Sequence, residues 1–105
     1  MSNKAMPVKT AVIPLDGDYE GFEITVRTNT TYAVKLDLQS GDIDRVLSAL
    51  RSLVVGWNLS DDDGNPLPTP KAGTDLKTSV PDDILGAIIG GYIKAANEAA
   101  KLPKA

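Results

Sequence analysis

Apolar and polar positions along this chain follow two periods, a period of two near the N-terminus and a period of three to four further on. Phe22, Ile24 and Val26 are separated by Glu23, Thr25 and Arg27, the alternation of a half-buried strand. An earlier run of β-favouring residues covers Thr10–Leu15. Between the two lies Asp16-Gly17-Asp18-Tyr19-Glu20-Gly21, a turn-rich connector whose glycines can take positive φ. A β-hairpin over 10–27 is expected. A lone hairpin is marginal in water, so its apolar face must lie on helices or on another chain.

Residues 30–39 fit two templates. Tyr32, Val34, Leu36 and Leu38 alternate with polar or small residues, as in a strand. Tyr32/Leu36 and Val34/Leu38 are also i,i+4 pairs, and Asn29 or Thr30 can cap a helix. Ser40-Gly41-Asp42 then breaks the chain. From 43 to 55, Ile43, Val46, Leu47, Leu50, Leu53 and Val54 recur at helical spacing, which predicts an amphipathic helix. Gly56 reads as its stop. Three prolines and two glycines make residues 60–79 a loop, and Trp57–Pro70 reads as a turn-and-loop unit that leads into it. Pro81 opens a last helix, over 81–101, at the first position where proline is tolerated. Asp82 and Asp83 then sit at the positive end of its dipole. The fold class is α+β, an N-terminal hairpin packed on two to three helices. It forms one domain over 10–101, with a loose arm over 1–9 and a short tail over 102–105.

The chain has 105 residues, 42% of them hydrophobic but only 5% aromatic. The core should be aliphatic and single. Net charge is −3, from fourteen acids and eleven bases, with no basic cluster, so nucleic acid is not expected as a partner. Cysteine and histidine are absent. This removes disulfides, thiolate metal sites and the usual catalytic triads. No apolar run approaches the ~18 residues of a membrane span, and MSNKAMPVKT lacks the pattern of a secretion signal. A soluble, unexported protein that is not an enzyme and carries no cofactor is expected.

Three features invite a functional reading. Asp61-Asp62-Asp63-Gly64 resembles the start of a calcium loop, but with glycine sixth, the first and twelfth positions fall on Leu59 and Pro70. Neither supplies the carboxylate such a loop needs, so no metal site is assigned and the run reads as a solvated acidic turn. Gly86, Gly90 and Gly91 lie inside the last helix, where each costs about 0.5–1 kcal/mol against alanine. They suit close approach by a second subunit's helix or packing within one chain. The stripe Ile84, Ile88 and Tyr92 beside Leu85, Ile89 and Ile93 is wide, so self-association through Ile84, Ile88, Gly90, Gly91 and Tyr92 is expected. Trp57 is either an anchor for a partner or, packed beside Leu59 and Leu67, a core plug whose indole N–H bonds a loop carbonyl.

The order of motifs resembles the tail assembly chaperones of long-tailed, siphovirus-like bacteriophages, over roughly residues 12 to 100. The match rests on Tyr19-x-Gly21-Phe22, Val26-Arg27-Thr28-Asn29 and Gln39-Ser40-Gly41-Asp42. It continues through Trp57-Asn58-Leu59, Asp61-x-Asp63-Gly64-x-Pro66-Leu67-Pro68 and the later Val80-Pro81, and the segment from Trp57 to Pro68 is its most specific part. The resemblance favours a short helix over 30–39. It implies a non-catalytic factor that binds the tape measure protein, keeps it soluble and promotes polymerisation of the tail tube protein around it. Such a factor works in the host cytoplasm and is absent from the mature virion. A small virion structural protein, in the tail or completing the head, and a generic interaction module are the alternatives.

Overall fold

The computed structural model describes residues 5–71, 76 and 80–100. In chain order these form β1 (Thr10–Pro14), a single 3-10 turn (Gly17–Tyr19), β2 (Glu23–Arg27), α1 (Tyr32–Gln39), α2 (Ile43–Leu53), β3 (Val54–Trp57) and α3 (Asp82–Ala100). The strands make one antiparallel sheet in the order β1-β2-β3. The α+β class, with an N-terminal hairpin against helices, is the architecture observed.

The period-2 run became β2 for the expected reason. Ile24 and Val26 are fully buried while Glu23 faces solvent. Ile13 of β1 pairs with Ile24, and both point into the core. Residues 30–39 are helical over Tyr32–Gln39. Their strand-like alternation would have put all four large side chains on one face. As a helix, Val34 and Leu38 pack on the core, whereas Tyr32 and Leu36 stay 70% and 44% exposed. Arg45 holds α1 to α2, its Nη2 2.9 Å from Asp37 Oδ1. Asp42 caps α2, its carboxylate accepting from the backbone N–H of Asp44 and Arg45.

The helix expected over 43–55 ends at Leu53, and a third strand follows it. Val26 pairs with Val54 and Thr25 with Gly56, so Val55 is left over as a bulge and is exposed. The β-branched Val54-Val55 pair suits either element at a helix end. The open edge of β2 decides for strand, because its N–H and C=O groups need partners. Gly56 therefore belongs to β3 and is not a helix stop. Ile43 is also corrected, since it is 57% exposed and lies outside the core stripe.

Pro81 precedes the first turn of α3, its carbonyl accepting from the N–H groups of Ile84 and Leu85. Of the arm expected over 1–9, Asn29 binds both the Pro7 carbonyl and the Lys9 N–H. Residues 1–4, 72–75, 77–79 and 101–105 lie outside the described residues, and with them parts of the expected arm, loop, last helix and tail; Leu76, expected within the loop over 60–79, is helical.

Leu47, Leu50 and Leu53 of α2, Ile84, Ile88 and Tyr92 of α3, and Leu76 close over the inner face of the sheet. The Tyr92 hydroxyl shares a hydrogen bond with Thr30. Of the three helix glycines, Gly91 meets a strand of its own chain. A Cβ at Gly91 would lie 2.7–2.9 Å from the Cγ2, Cδ1 and Cγ1 atoms of Ile13, whereas Gly86 and Gly90 face open space. Gly91→Ala should therefore be less stable than Gly90→Ala by about 1–3 kcal/mol, the usual cost of overpacking, since both gain equally in helix propensity. Urea denaturation of the two variants reads the difference.

Candidate functional site

The segment Trp57–Pro68 folds as a small unit clamped to the end of the sheet. Asn58 extends the ladder beyond β3, its Oδ1 accepting from Glu23 N–H at 2.7 Å and its Nδ2 donating to Gly21 C=O at 3.1 Å. Leu59 is buried, and its carbonyl accepts from Leu67 N–H at 2.9 Å. Ser60 and Pro66 form a β-bridge that closes the loop. At the tip, Asp61 Oδ1 accepts from the backbone N–H of Asp63 and Asn65, each at 2.9 Å. The acidic run is thus a turn organised by one carboxylate, with Gly64 at φ 83° completing it. Trp57 is half-buried rather than enclosed in the core, and its indole N–H donates to Leu67 C=O at 3.0 Å. Pro68 is exposed.

This unit forms one wall of a groove of about 760 Å³. The opposite walls come from the hairpin connector (Asp18, Tyr19, Phe22) and from the start of α3 (Val80, Pro81, Asp82, Ile84). Leu59 and Leu67 join Phe22, Val80 and Ile84 in an apolar floor. Asp18, Asp61, Asp62, Asp63 and Asp82 stand around it. The connector is locked to α3 by the Tyr19 hydroxyl, which donates to both carboxylate oxygens of Asp83 at 2.9 and 2.8 Å. That bond to Asp83, then desolvation, then the charges of Asp83 and Asp18, raise the Tyr19 pKa above its ordinary 10.0.

No family model, no curated protein and no solved structure matches this chain.

The residues singled out in the sequence divide between this groove and the interior. Leu59, Asp63, Leu67 and Pro81 line the groove, while Trp57, Asn58, Gly64 and Pro66 build its wall. The interaction face expected on the last helix is largely internal. Ile84, Ile88 and Tyr92 are core residues, Gly91 is covered by Ile13, and Leu85 and Ile89 pack on the core. Gly90 and Ile93 remain outward. The stripe is wide because β1 of the sheet packs against this helix.

Sequence reasoning missed Asp18, Tyr19, Phe22 and Asp82 as neighbours of the acidic turn. Tyr19 and Asp83 are 64 positions apart, and no local spacing announces that contact. The matching signal was only that both segments are acidic. Among the described residues, no group of three or more acidic side chains is placed to hold a metal ion. An apolar floor within a carboxylate rim is suited to binding.

Two outcomes follow from this geometry. Asn58→Ala should cost about 1 kcal/mol per lost hydrogen bond, whereas Asp62→Asn, on the exposed tip, should stay within about 0.5 kcal/mol of wild type; urea midpoints check both. The Tyr19 ring should titrate by NMR above its ordinary value, and Asp83→Ala should bring it back down. Because the folded pKa is raised, the Tyr19 contribution to stability is complete below the unfolded value. It is lost as pH climbs through the folded one.

Proposed function

We propose that this chain is a non-catalytic tail assembly chaperone of a long-tailed bacteriophage. In this reading it binds the tape measure protein in the host cytoplasm, keeps it soluble while tail tube protein polymerises around it, and leaves before the virion is complete. One observation carries the proposal furthest. The Trp57–Pro68 run, on which the resemblance chiefly rests, is a folded unit that walls an open groove of about 760 Å³. Each residue of Trp57-Asn58-Leu59 has a structural duty there: a bond to Leu67, a clamp on β2, and a place in the core. The motif thus supports a binding surface built on a rigid scaffold, as interaction loops commonly are.

Co-expression with the tape measure protein of the same phage tests the reading. The expected result is a soluble complex that co-purifies, with the client precipitating in its absence. Mass spectrometry of purified virions supplies the opposing arm. Finding the chain there in stoichiometric amount would replace the chaperone with a virion structural protein.

A further inference from the structure

The groove joins two properties that no simple ion or purely apolar ligand satisfies together. We propose that it docks a polypeptide segment in which lysines or arginines flank apolar side chains. This rests on the binding-protein reading above and adds what the partner must present.

Five carboxylates line the opening, and no lysine or arginine does so among the described residues. Asp61 is engaged by its own turn. Asp18, Asp62, Asp63 and Asp82 form no ion pair among the described residues. Like charges around one cleft repel, and a cation entering it relieves that repulsion. An inorganic cation would need several oxygens converging on one point. Among the described residues no three carboxylates are placed to hold such an ion, and Phe22, Leu59, Leu67, Val80 and Ile84 line the same cleft. A long basic side chain fits both parts, laying its aliphatic stem on the floor and its charged head at the rim. The volume, about 760 Å³, is in the upper part of the usual range for ligand clefts of roughly 300–1,000 Å³, room for several successive side chains. An acidic segment or a nucleic-acid backbone meets the same rim and is repelled.

The test is a fluorescence-anisotropy titration of the full chain with three labelled peptides. One alternates lysine and leucine along an amphipathic pattern, one carries glutamate in place of lysine, and one keeps the lysines but replaces leucine with serine. The lysine-leucine peptide should bind tightest, weaken with added salt, and shift the amide resonances of Phe22, Leu59, Leu67 and Val80. The combined variant Asp18→Asn, Asp62→Asn, Asp63→Asn should keep the wild-type urea midpoint and bind about tenfold more weakly. Equal binding of the glutamate peptide, equal binding of the serine peptide, or unchanged affinity of the variant overturns the proposal. So do shifts confined to Val12 and Thr25 on the far face of the sheet. A tape measure protein held soluble equally well by wild type and variant would sink the groove while leaving the chaperone reading intact. Intact lysine-leucine binding at the groove with no effect on the tape measure protein would do the reverse.

Discussion

Complete burial of Ile24 and Val26 on β2 is the constraint around which the other elements are arranged. A five-residue strand can exclude water from both side chains only if it is hydrogen-bonded along its two edges and covered on one face. Burial of such a side chain contributes roughly 1.5–3 kcal/mol, while leaving an edge unpaired in the interior forfeits backbone hydrogen bonds. The hairpin supplies one edge through β1. The other can only come from further along the chain, so the last residues of the α2 segment leave the helix and pair as β3. Leu50 and Leu53 of α2 and Ile88 of α3 then complete the cover. The close seating of α3 over β1 follows from the same demand, and it is why Gly91 carries no side chain opposite Ile13.

The groove inherits its geometry from that sheet. Asn58 continues the β2–β3 ladder by one step with its side chain, reaching both Glu23 and Gly21. This fixes where the chain leaves the sheet, and hence where the Asp61–Asn65 turn stands relative to the hairpin connector. The connector is fixed in turn by Tyr19 on Asp83. Three segments distant in sequence are therefore held about one opening by hydrogen bonds that all trace back to the ends of β2 and α3.

Periodicity made the hairpin, α2 and α3 legible because each buries one face against the same core. It failed where two periods fit the same residues. At Tyr32–Gln39 the alternation and the i,i+4 pairs were both present, and the helix prevailed by burying Val34 and Leu38 while leaving Tyr32 and Leu36 outside. At Val54-Val55 the helical stripe and the β-branched pair competed, and the decision lay with β2, far upstream, where Val26 pairs with Val54, and not with the local sequence. The wide stripe on α3 suggested a partner because a helix was assumed to be its only neighbour. For the groove, the Trp57–Pro68 wall was legible as a motif, but its counterparts Asp18, Phe22 and Val80 were not, since their proximity is created by topology.

Stability and surface charge are separable in this molecule. Among the described residues the interior is apolar, with no buried polar or charged side chain except the bonded hydroxyl of Tyr92. The Arg45–Asp37 pair is solvent-accessible on both sides, and such pairs contribute about 0–1 kcal/mol. The fold is thus held by aliphatic burial and backbone hydrogen bonds, whose strength depends little on the net charge of −3. Asp61 is the exception at the groove, because its carboxylate shapes the turn. Asp18, Asp62 and Asp63 carry no comparable duty in the described structure. Self-repulsion among them slightly opposes folding, so their concentration at one cleft has no explanation in stability. A basic partner in the cleft, as proposed above, would relieve that repulsion.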